Sequence, residues 1–310
     1  MHTPRHLGLQ AVTSGKPSTS LPPRVPDGDS AELADTSVSP ITHSRRSPDA
    51  PRHDPIPGHD PPHLGSHLGD LAQLELAFEC ALKSFSMAFQ PIVGALRHDV
   101  IAYEALLRPQ SPQFSNPGIM LDAAERLHRL DRLGRAIRAR VARDAQTAPF
   151  AGLLFVNLHA LDLTDQSLAS PYAPLARFRD RVVFEVTERA SLAGIPHLKM
   201  RISQLREMGY RLAIDDLGAG HMRMSDFTLL DTDFVKLDMS LVRALDRNPI
   251  KQRLVAAISA LCHDQGIRVV GEGVETAEER RILIELGCDL LQGFFIAKPA
   301  PPFCPVPPGP

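Results

Sequence analysis

The sequence has few cysteines and no long apolar run. Its four cysteines, Cys80, Cys262, Cys288 and Cys304, are scattered without CxxC spacing, so neither a zinc site nor a disulfide framework is indicated. No stretch approaches the roughly 18 consecutive apolar residues that a membrane-spanning helix needs, and the N-terminus lacks the apolar segment of a signal peptide. We therefore expect a soluble cytoplasmic protein that has no membrane partner.

An excess of positive charge is also missing. The 34 lysines and arginines nearly balance the 36 aspartates and glutamates, which leaves a formal net charge of −2. A protein that holds nucleic acid by charge alone is strongly basic, so we expect no DNA or RNA partner. Any phosphate-bearing ligand has to be bound by local groups.

Proline is scarce in the middle of the chain and concentrated at its ends. Of 28 prolines, 12 lie in residues 1–70 and seven in residues 299–310. Segments rich in proline and small polar residues bury too little apolar surface to offset the entropy lost on folding. The composition predicts a disordered Pro- and His-rich tail at 1–68, a folded domain at 69–299 and a Pro-rich C-terminal tail at 300–310.

Short apolar runs alternate with longer amphipathic ones inside the folded domain. A helix is expected from Asp70 and leads into a first strand at 85–93. The further predicted strands are Val100–Leu107, Leu153–Asn157, Val182–Val186, Leu212–Asp215, Phe234–Leu237, Val269–Gly271 and Leu290–Phe295. The helical stretches between them include Met120–Ala145, Ile195–Met208, Ile250–Gln265 and Ala277–Leu286.

This alternation predicts an α/β fold made of parallel βα units. Eight such strands favour a closed (β/α)₈ barrel of the TIM type. The alternative is an open doubly wound sheet, which needs a glycine-rich phosphate-binding turn after the first strand. The sequence there reads Pro91-Ile92-Val93-Gly94, which does not provide that turn.

A polar residue ends nearly every predicted strand. These residues are Glu104, Asn157, Glu185, Asp215 with Asp216, Lys236 with Asp238, Glu272 with Glu275, and Gln292. The C-terminal strand ends of a βα barrel converge on one face, where active sites lie. A single carboxylate at a strand end is often a helix cap or a solvated residue, but a whole series at one end favours a site.

Crowded carboxylates need compensating positive charge, because like charges repel and raise one another's pKa. Oxygen-only ligands without histidine or cysteine favour Mg²⁺ or Mn²⁺ over Zn²⁺. The adjacent pair Asp215-Asp216 suits two ions about 3.5–4 Å apart, an arrangement used for displacement at phosphorus. Two divalent ions are therefore expected.

The sequence over residues 72–299 resembles the EAL-domain family of cyclic di-GMP phosphodiesterases. The signature tripeptide is Glu104-Ala105-Leu106, which lies within Tyr-Glu-Ala-Leu-Leu-Arg. The other matching segments, in the order of the family, are Phe89–Val93, Val156–Leu158, Glu185–Glu188, Ile214–Asp216, Val235–Asp238, Glu272–Thr276 and Gln292–Phe295.

The resemblance implies a (β/α)₈ barrel with an antiparallel first strand and hydrolysis of cyclic di-GMP to linear pGpG. It also implies metal ligands, which are Glu104, Asn157, Glu185 and Asp215, with Asp215 bridging to a second ion that Asp216 also holds. Glu272, Lys236 and Asp216 are the implied catalytic residues: Glu272 acts as general base or orients the attacking water, and Lys236 contacts that water and the phosphate. The implied substrate contacts are Gln90, Arg108 and Gln292, and the implied structural or supporting residues are Glu188, Asp238 and Glu275.

One loop departs from the family pattern. The usual segment after the aspartate pair is close to Asp-Asp-Phe-Gly-Thr-Gly-Tyr-Ser-Ser, whereas this chain has Leu217-Gly218-Ala219-Gly220-His221-Met222-Arg223 after Asp216. In the family this loop positions the second ion, and the Glu188 position anchors it. Ala219 has no hydroxyl to meet such an anchor, although every metal-ligand position is kept.

Two other functions are weighed against the enzyme. One is a receptor that binds cyclic di-GMP without cleaving it, and the other is a protein-interaction scaffold. Both are expected to have lost a metal ligand, the base or Arg108, and this chain has lost none of them. The family also suggests a homodimer, and an upstream regulator is expected but not identified.

Overall fold

The computed structural model describes residues 64–148, 150–187, 192–218 and 231–306. Nearly all of the tail expected to be disordered, the Glu188 position and most of the altered loop after Asp216 lie outside these ranges. None of the helices in the described ranges combines the length and the apolar character that a transmembrane span requires.

Eight strands form a closed barrel in the order of the sequence. They are β1 (Ser86–Gly94), β2 (Val100–Arg108), β3 (Leu153–Leu158), β4 (Val182–Thr187), β5 (Arg211–Leu217), β6 (Phe234–Leu237), β7 (Arg268–Gly271) and β8 (Leu290–Leu291). β1 pairs antiparallel with both β2 and β8, and all other neighbours are parallel. The predicted (β/α)₈ barrel with an antiparallel first strand is confirmed, and the open-sheet alternative is wrong.

Between β3 and β4 the described residues form 3₁₀ helices only, and the α-helices precede β1 or lie between other strands. They are α1 (Leu64–Ser84), α2 (Pro117–Arg126), α3 (Leu130–Thr147), α4 (Leu198–Glu207), α5 (Met239–Val242), α6 (Pro249–Asp264) and α7 (Ala277–Glu285). Short 3₁₀ helices span Ala160–Thr164, Ala176–Arg181, Leu192–Gly194 and Leu245–Arg247.

Local sequence explains where several helices begin. Asn116 caps α2, since its side chain accepts a hydrogen bond from the Ile119 amide at 3.1 Å and Pro117 follows at the first helical position. Asn248 caps α6 in the same way. A capping box between Thr276 and Glu279 begins α7. In each case a polar side chain satisfies an amide that has no partner within its own helix.

The largest differences from the predicted boundaries occur at three places. α1 begins at Leu64, ahead of the expected start at Asp70. The single helix expected at Met120–Ala145 is two helices, because His128 has a φ of 54° and no α-helix passes through that conformation. β8 ends at Leu291 rather than Phe295, since the chain at Gly293 turns against the backbone of Val274.

The C-terminal segment packs against the barrel over its described part. The backbones of Ala300 and Phe89 exchange hydrogen bonds of 2.7 and 3.1 Å. The ring of Phe303 stacks on Phe150 with the ring centroids 4.4 Å apart and also contacts Phe89 and Tyr103. These contacts extend the pairing of β1 beyond the short strand β8.

Apolar side chains fill the interior of the barrel at mid-height, one from each strand. We call this set the apolar layer: Ile92, Ala102, Phe155, Val183, Ala213, Phe234, Val270 and Leu290. All are buried, and the rings of Phe155 and Phe234 meet edge to face at 5.0 Å. The barrel is therefore a packed core rather than a pore.

Candidate active site

The alternation of side chains along a strand determines which residues lie above the apolar layer. Residues two apart face the same side of a strand, so the next inward positions lie two residues further toward the carboxyl ends of the parallel strands. In the antiparallel β1 the equivalent residue lies two positions earlier. The set is Gln90, Glu104, Asn157, Glu185, Asp215, Lys236, Glu272 and Gln292. One polar residue from each strand thus reaches the same level.

Lys236 lies at the centre of this set and contacts four carboxylates. The distances from its Nζ are 2.6 Å to Glu185 Oε1, 2.7 Å to Glu272 Oε1, 3.2 Å to Asp215 Oδ1 and 3.4 Å to Glu104 Oε2. Lys236 is 1% exposed and Glu185 is fully buried. Charged groups at this depth are stable only when they are paired.

The pKa values reflect this enclosure. Burial raises the pKa of the Glu185 carboxyl well above its ordinary value, and Lys236 opposes that effect only in part. Burial has the same effect on the pKa of Glu272, again against the attraction of Lys236. Burial alone lowers the pKa of Lys236, but the surrounding carboxylates outweigh it and hold that pKa well above the usual range. The lysine is therefore a permanent cation.

Side-chain amides occupy the other side of Glu104. Asn157 Nδ2 donates to Glu104 Oε1 at 3.2 Å, and Gln292 Nε2 donates to Glu104 Oε2 at 2.6 Å. Gln292 Nε2 also lies 3.2 Å from Gln90 Oε1. Gln90 in turn donates from Nε2 to the carbonyl of Ala297 at 3.0 Å. These bonds orient Glu104 toward the centre of the barrel.

An irregularity in β5 brings two consecutive carboxylates into the site. Neighbouring side chains of a regular strand point to opposite faces. The pairing of β5 with β6 shifts register between Ile214 and Leu217, and Asp216 has a φ of 60°. Oxygen atoms of Asp215, Asp216 and Glu272 consequently lie within 4.8 Å of one another.

These carboxylates form a site that fits divalent cations. We call Glu104, Glu185, Asp215, Asp216 and Glu272 the acidic cluster. The single ammonium of Lys236 contacts four of these five carboxylates. Among the described residues, the buried Oε2 of Glu185 has no hydrogen-bond partner. Since oxygen ligands suit hard divalent ions, the donors present match Mg²⁺ or Mn²⁺.

Arg108 lies at the rim, away from Lys236. Its Nη1 donates to the Leu107 carbonyl at 2.8 Å, and in the described residues its guanidinium makes no ion pair. It lines a cavity of about 260 Å³ that also reaches Asn157 and His159. A half-buried guanidinium beside a cavity remains available for an anion.

Two of the residues expected to have supporting roles, Asp238 and Glu275, are described, and neither contacts Lys236. Asp238 caps α5 by accepting a hydrogen bond from the Ser240 amide at 2.8 Å. Glu275 forms an ion pair with Arg243. Glu188 lies outside the described residues. The supporting roles themselves stay predictions.

Sequence reasoning missed two buried carboxylates that hold the loops of this face. Glu279 is 4% exposed and accepts hydrogen bonds from the amides of Ala244 at 3.1 Å and Glu275 at 2.9 Å. Its capping-box pattern with Thr276 was visible in the sequence. Asp162 is 3% exposed and pairs with Arg138 behind Asn157. The sequence signal that could have pointed to Asp162 was Gly134, a glycine inside α3 that leaves room for this carboxylate.

Known proteins resemble this chain in both sequence and structure. The cyclic di-GMP phosphodiesterase RocR of Pseudomonas aeruginosa is 34% identical over 152 residues, which cover 48% of this chain and 39% of RocR. The solved manganese and cyclic di-GMP complex of Klebsiella pneumoniae BlrP1 is 34% identical with a TM-score of 0.61, and the match covers 70% of this chain and 56% of that one. A standalone EAL protein from Vibrio cholerae, solved with c-di-GMP bound, is 25% identical with a TM-score of 0.62, over 73% of this chain and 96% of that one.

Several curated relatives are much longer than the matched region. The chain covers between 15% and 39% of their length. The family model of the EAL domain matches residues 72–299, which include the whole barrel and every residue of the acidic cluster. The chain therefore belongs to the EAL domain family.

Proposed function

We propose that this EAL domain hydrolyses one phosphodiester bond of cyclic di-GMP to give linear pGpG, with two divalent ions, Mg²⁺ or Mn²⁺, as cofactors. The observation that carries the proposal is the acidic cluster, in which Lys236 contacts four carboxylates and oxygen atoms of Asp215, Asp216 and Glu272 lie within 4.8 Å of one another. A dianionic nucleotide does not approach such a surface unless further positive charge is bound there. Relatives named as cyclic di-GMP phosphodiesterases support the choice of substrate.

The residues divide between the two ions by position. Glu104, Asn157, Glu185 and Asp215 would hold one ion, and Asp215 with Asp216 would hold the other. Divalent ions in this position supply positive charge to the phosphate oxygens and lower the pKa of water. The left-handed backbone of Asp216 serves this arrangement because it directs a second carboxylate to the same side as Asp215.

Glu272 acts on the proton of the attacking water, and Lys236 acts on the negative charge that develops at the phosphate. Glu272 is the base that takes the proton from the attacking water, and burial favours this role because it raises the pKa of the carboxyl. Lys236 lies 2.7 Å from Glu272 and supplies a fixed cation beside the phosphate as negative charge develops. Since Lys236 is buried, it needs no reorganisation to do so.

Three side chains bind the nucleotide, Arg108 at the rim and the buried Gln90 and Gln292 beside Glu104. Arg108 presents a planar guanidinium, whose paired N–H groups match a phosphate or a guanine edge. Gln90 and Gln292 present amides beside Glu104 and orient the substrate over the ions. A homodimer, a cytoplasmic location and an upstream regulator stay predictions from the sequence.

The test is a turnover assay on the purified chain with cyclic di-GMP and either Mn²⁺ or Mg²⁺, with pGpG followed by chromatography. Glu104→Ala is expected to lower turnover by more than about 100-fold, since it removes a ligand that contacts both amides and Lys236. The matched control is Glu285→Gln, which removes an exposed carboxylate paired with Arg281 and leaves turnover unchanged.

Excess chelator is expected to abolish product formation. Turnover that persists in chelator contradicts the metal-dependent reaction. Absence of product from the wild-type chain, with cyclic di-GMP still bound, makes the domain a receptor, and absence of binding as well leaves only the scaffold.

A further inference from the structure

A buried ion pair lies behind the end of β3, outside the contacts of the acidic cluster. Arg138 of α3 and Asp162 of the 3₁₀ helix Ala160–Thr164 are 4% and 3% exposed. Arg138 Nη1 lies 2.9 Å from Asp162 Oδ1, and Nη2 lies 3.2 Å from Asp165 Oδ2. Burial removes both charges from water, and the attraction between them offsets this desolvation cost only in part. A buried ion pair therefore calls for a role that an apolar pair would not fill.

Asp162 also holds the backbone that leaves β3. Its Oδ2 accepts a hydrogen bond from the amide of His159 at 3.1 Å, and the Asp162 amide donates to the His159 carbonyl at 2.8 Å. The His159 ring accepts from the Leu161 amide at 3.1 Å. The turn is therefore fixed at both the amide and the carbonyl of His159.

His159 follows Asn157 by two residues. The Asn157 side chain is exposed, and in the described residues its amide contact is the 3.2 Å bond to Glu104. The direction of this side chain consequently depends on the backbone that carries it. Asn157 and Leu158 pair with Glu185 and Val186 of β4, and the clamp on His159 is the first contact beyond that ladder on the C-terminal side.

α3 contains a glycine where the carboxylate of Asp162 approaches it. A Cβ added at Gly134 would lie 2.3 Å from Asp162 Oδ1 and 2.6 Å from Oδ2. Glycine in the interior of a helix is less favourable than alanine. Gly134 and Arg138 are four residues apart and share one face of α3, so the helix provides both the space and the cation for this one carboxylate.

We propose that Asp162, held by Arg138 and seated over Gly134, is a positioning residue for the metal site through Asn157. The proposal rests on the proposed function, which makes Asn157 a metal ligand. Residues that orient a ligand from behind commonly change metal affinity about 10–100-fold when they are altered. This positioning role accounts for a buried ion pair at a place where an apolar pair would avoid the cost of desolvation.

The first test is calorimetric titration of the full chain with Mn²⁺ alone, in the wild type and in Asp162→Asn. Arg138 keeps Asp165 as a partner in this variant, so no isolated charge is created. We expect the Mn²⁺ dissociation constant to rise about tenfold or more. Turnover is then expected to need a higher Mn²⁺ concentration, with kcat at saturating Mn²⁺ nearly unchanged.

A second variant removes no charge. Gly134→Ala displaces the carboxylate of Asp162 by contact, while alanine is the better helix former. Loss of Mn²⁺ affinity in this variant as well is expected, and it separates positioning from helix stability. Unchanged Mn²⁺ affinity in both variants overturns the proposal.

The matched control is Asp233→Asn. Asp233 also accepts a hydrogen bond from a backbone amide, that of Leu212 at 3.0 Å, and pairs with Arg206 at 2.8 Å. It precedes β6, however, and so lies at the end of the barrel opposite the acidic cluster. This variant is expected to lower the melting temperature and to leave Mn²⁺ affinity within about twofold of the wild type.

The Asn157 side-chain amide provides a readout that needs no metal. Its NMR signals in the metal-free chain are expected to shift in Asp162→Asn and Gly134→Ala but not in Asp233→Asn. If the wild type binds no Mn²⁺, or if Asn157→Ala binds Mn²⁺ as the wild type does, the proposed function fails. Unchanged Asn157 signals in both variants then still overturn the positioning role by itself.

Discussion

Lys236 Nζ and Glu185 Oε1 lie 2.6 Å apart at a depth where the lysine is 1% exposed and the glutamate is not exposed at all. Both groups come from the position directly above the apolar layer, on β6 and β4. The contact therefore crosses the interior of the barrel. It gives the acidic cluster one permanent cation in the protein itself.

Replacement of Lys236 tests how much its ammonium stabilises the metal-free fold against repulsion among the buried carboxylates. Lys236→Met is expected to destabilise the chain by about 3–5 kcal/mol in the presence of chelator, because buried carboxylates lose their partner. Added Mn²⁺ is expected to stabilise this variant more than it stabilises the wild type. Thermal denaturation with and without Mn²⁺ measures both effects.

The matched control for that variant is Lys298→Met, which removes a lysine 5.6 Å from the exposed ring of Phe294. It is expected to change stability by less than about 1 kcal/mol. Equal melting temperatures for Lys236→Met and the wild type in chelator contradict the stabilising role of the buried cation.

The apolar layer supports the site from below. Removing one of its large rings tests how tightly this layer is packed. Phe155→Ala is expected to lower the free energy of unfolding by about 3–5 kcal/mol, since it leaves a cavity against Phe234. Urea denaturation measures the change. Phe294→Ala, at a ring that is 58% exposed, is the comparison and should lose far less. Similar losses in the two variants would show that the interior of the barrel is not the tightly packed core described above.

Thiol reactivity should divide the four cysteines into two pairs. Cys80 and Cys304 are exposed, whereas burial raises the pKa of Cys262 to about 11 and that of Cys288 to about 12. At pH 8 the buried thiols are protonated and therefore poor nucleophiles. Ellman's reagent is expected to titrate two thiols in the native chain and four in denaturant. Fast reaction of a third thiol in the native chain contradicts this assignment.

Gly218 is expected to tolerate no side chain. It has a φ of 107°, and an added Cβ would lie 2.4 Å from Leu241 Cδ1. Gly218→Ala therefore combines backbone strain with a clash, and it is expected to lower the free energy of unfolding by more than about 1 kcal/mol. Gly266 has a φ of 73° but open space around an added Cβ, so Gly266→Ala isolates the strain.

Chemical denaturation of the two glycine variants measures the difference. Gly218→Ala is expected to be the less stable, and it should also weaken Mn²⁺ binding because Gly218 follows Asp216 closely. Equal losses in the two variants would show that Leu241 yields without cost.

The periodicity of the strands allowed most of the site to be predicted. A polar residue two positions beyond a buried apolar one is visible in the sequence for Glu104, Glu185 and Lys236, and the structure brings these three together. The contacts among them were not predictable, because they depend on the radius of the barrel and on which rotamers fit its interior. The sequence indicated a lysine near the phosphate but not its contacts with four carboxylates.

The remaining differences arise where the backbone adopts a conformation that its residue type does not signal. His128 and Asp216 both have positive φ values, and neither is a glycine. The first divides a predicted helix, and the second directs consecutive aspartates to one side. The packing of Phe303 on Phe150 was also missed, since a proline-rich composition indicates a tail and does not reveal a single anchoring ring.

The apolar layer has a consequence for traffic through the site. Because eight buried side chains close the described part of the barrel beneath the acidic cluster, water, ions and any nucleotide reach the cluster from the carboxyl ends of the strands. In the proposed reaction, departure of the linear product would use the same opening as arrival of the next cyclic substrate. The two events exclude each other, so exchange at this opening is necessarily sequential.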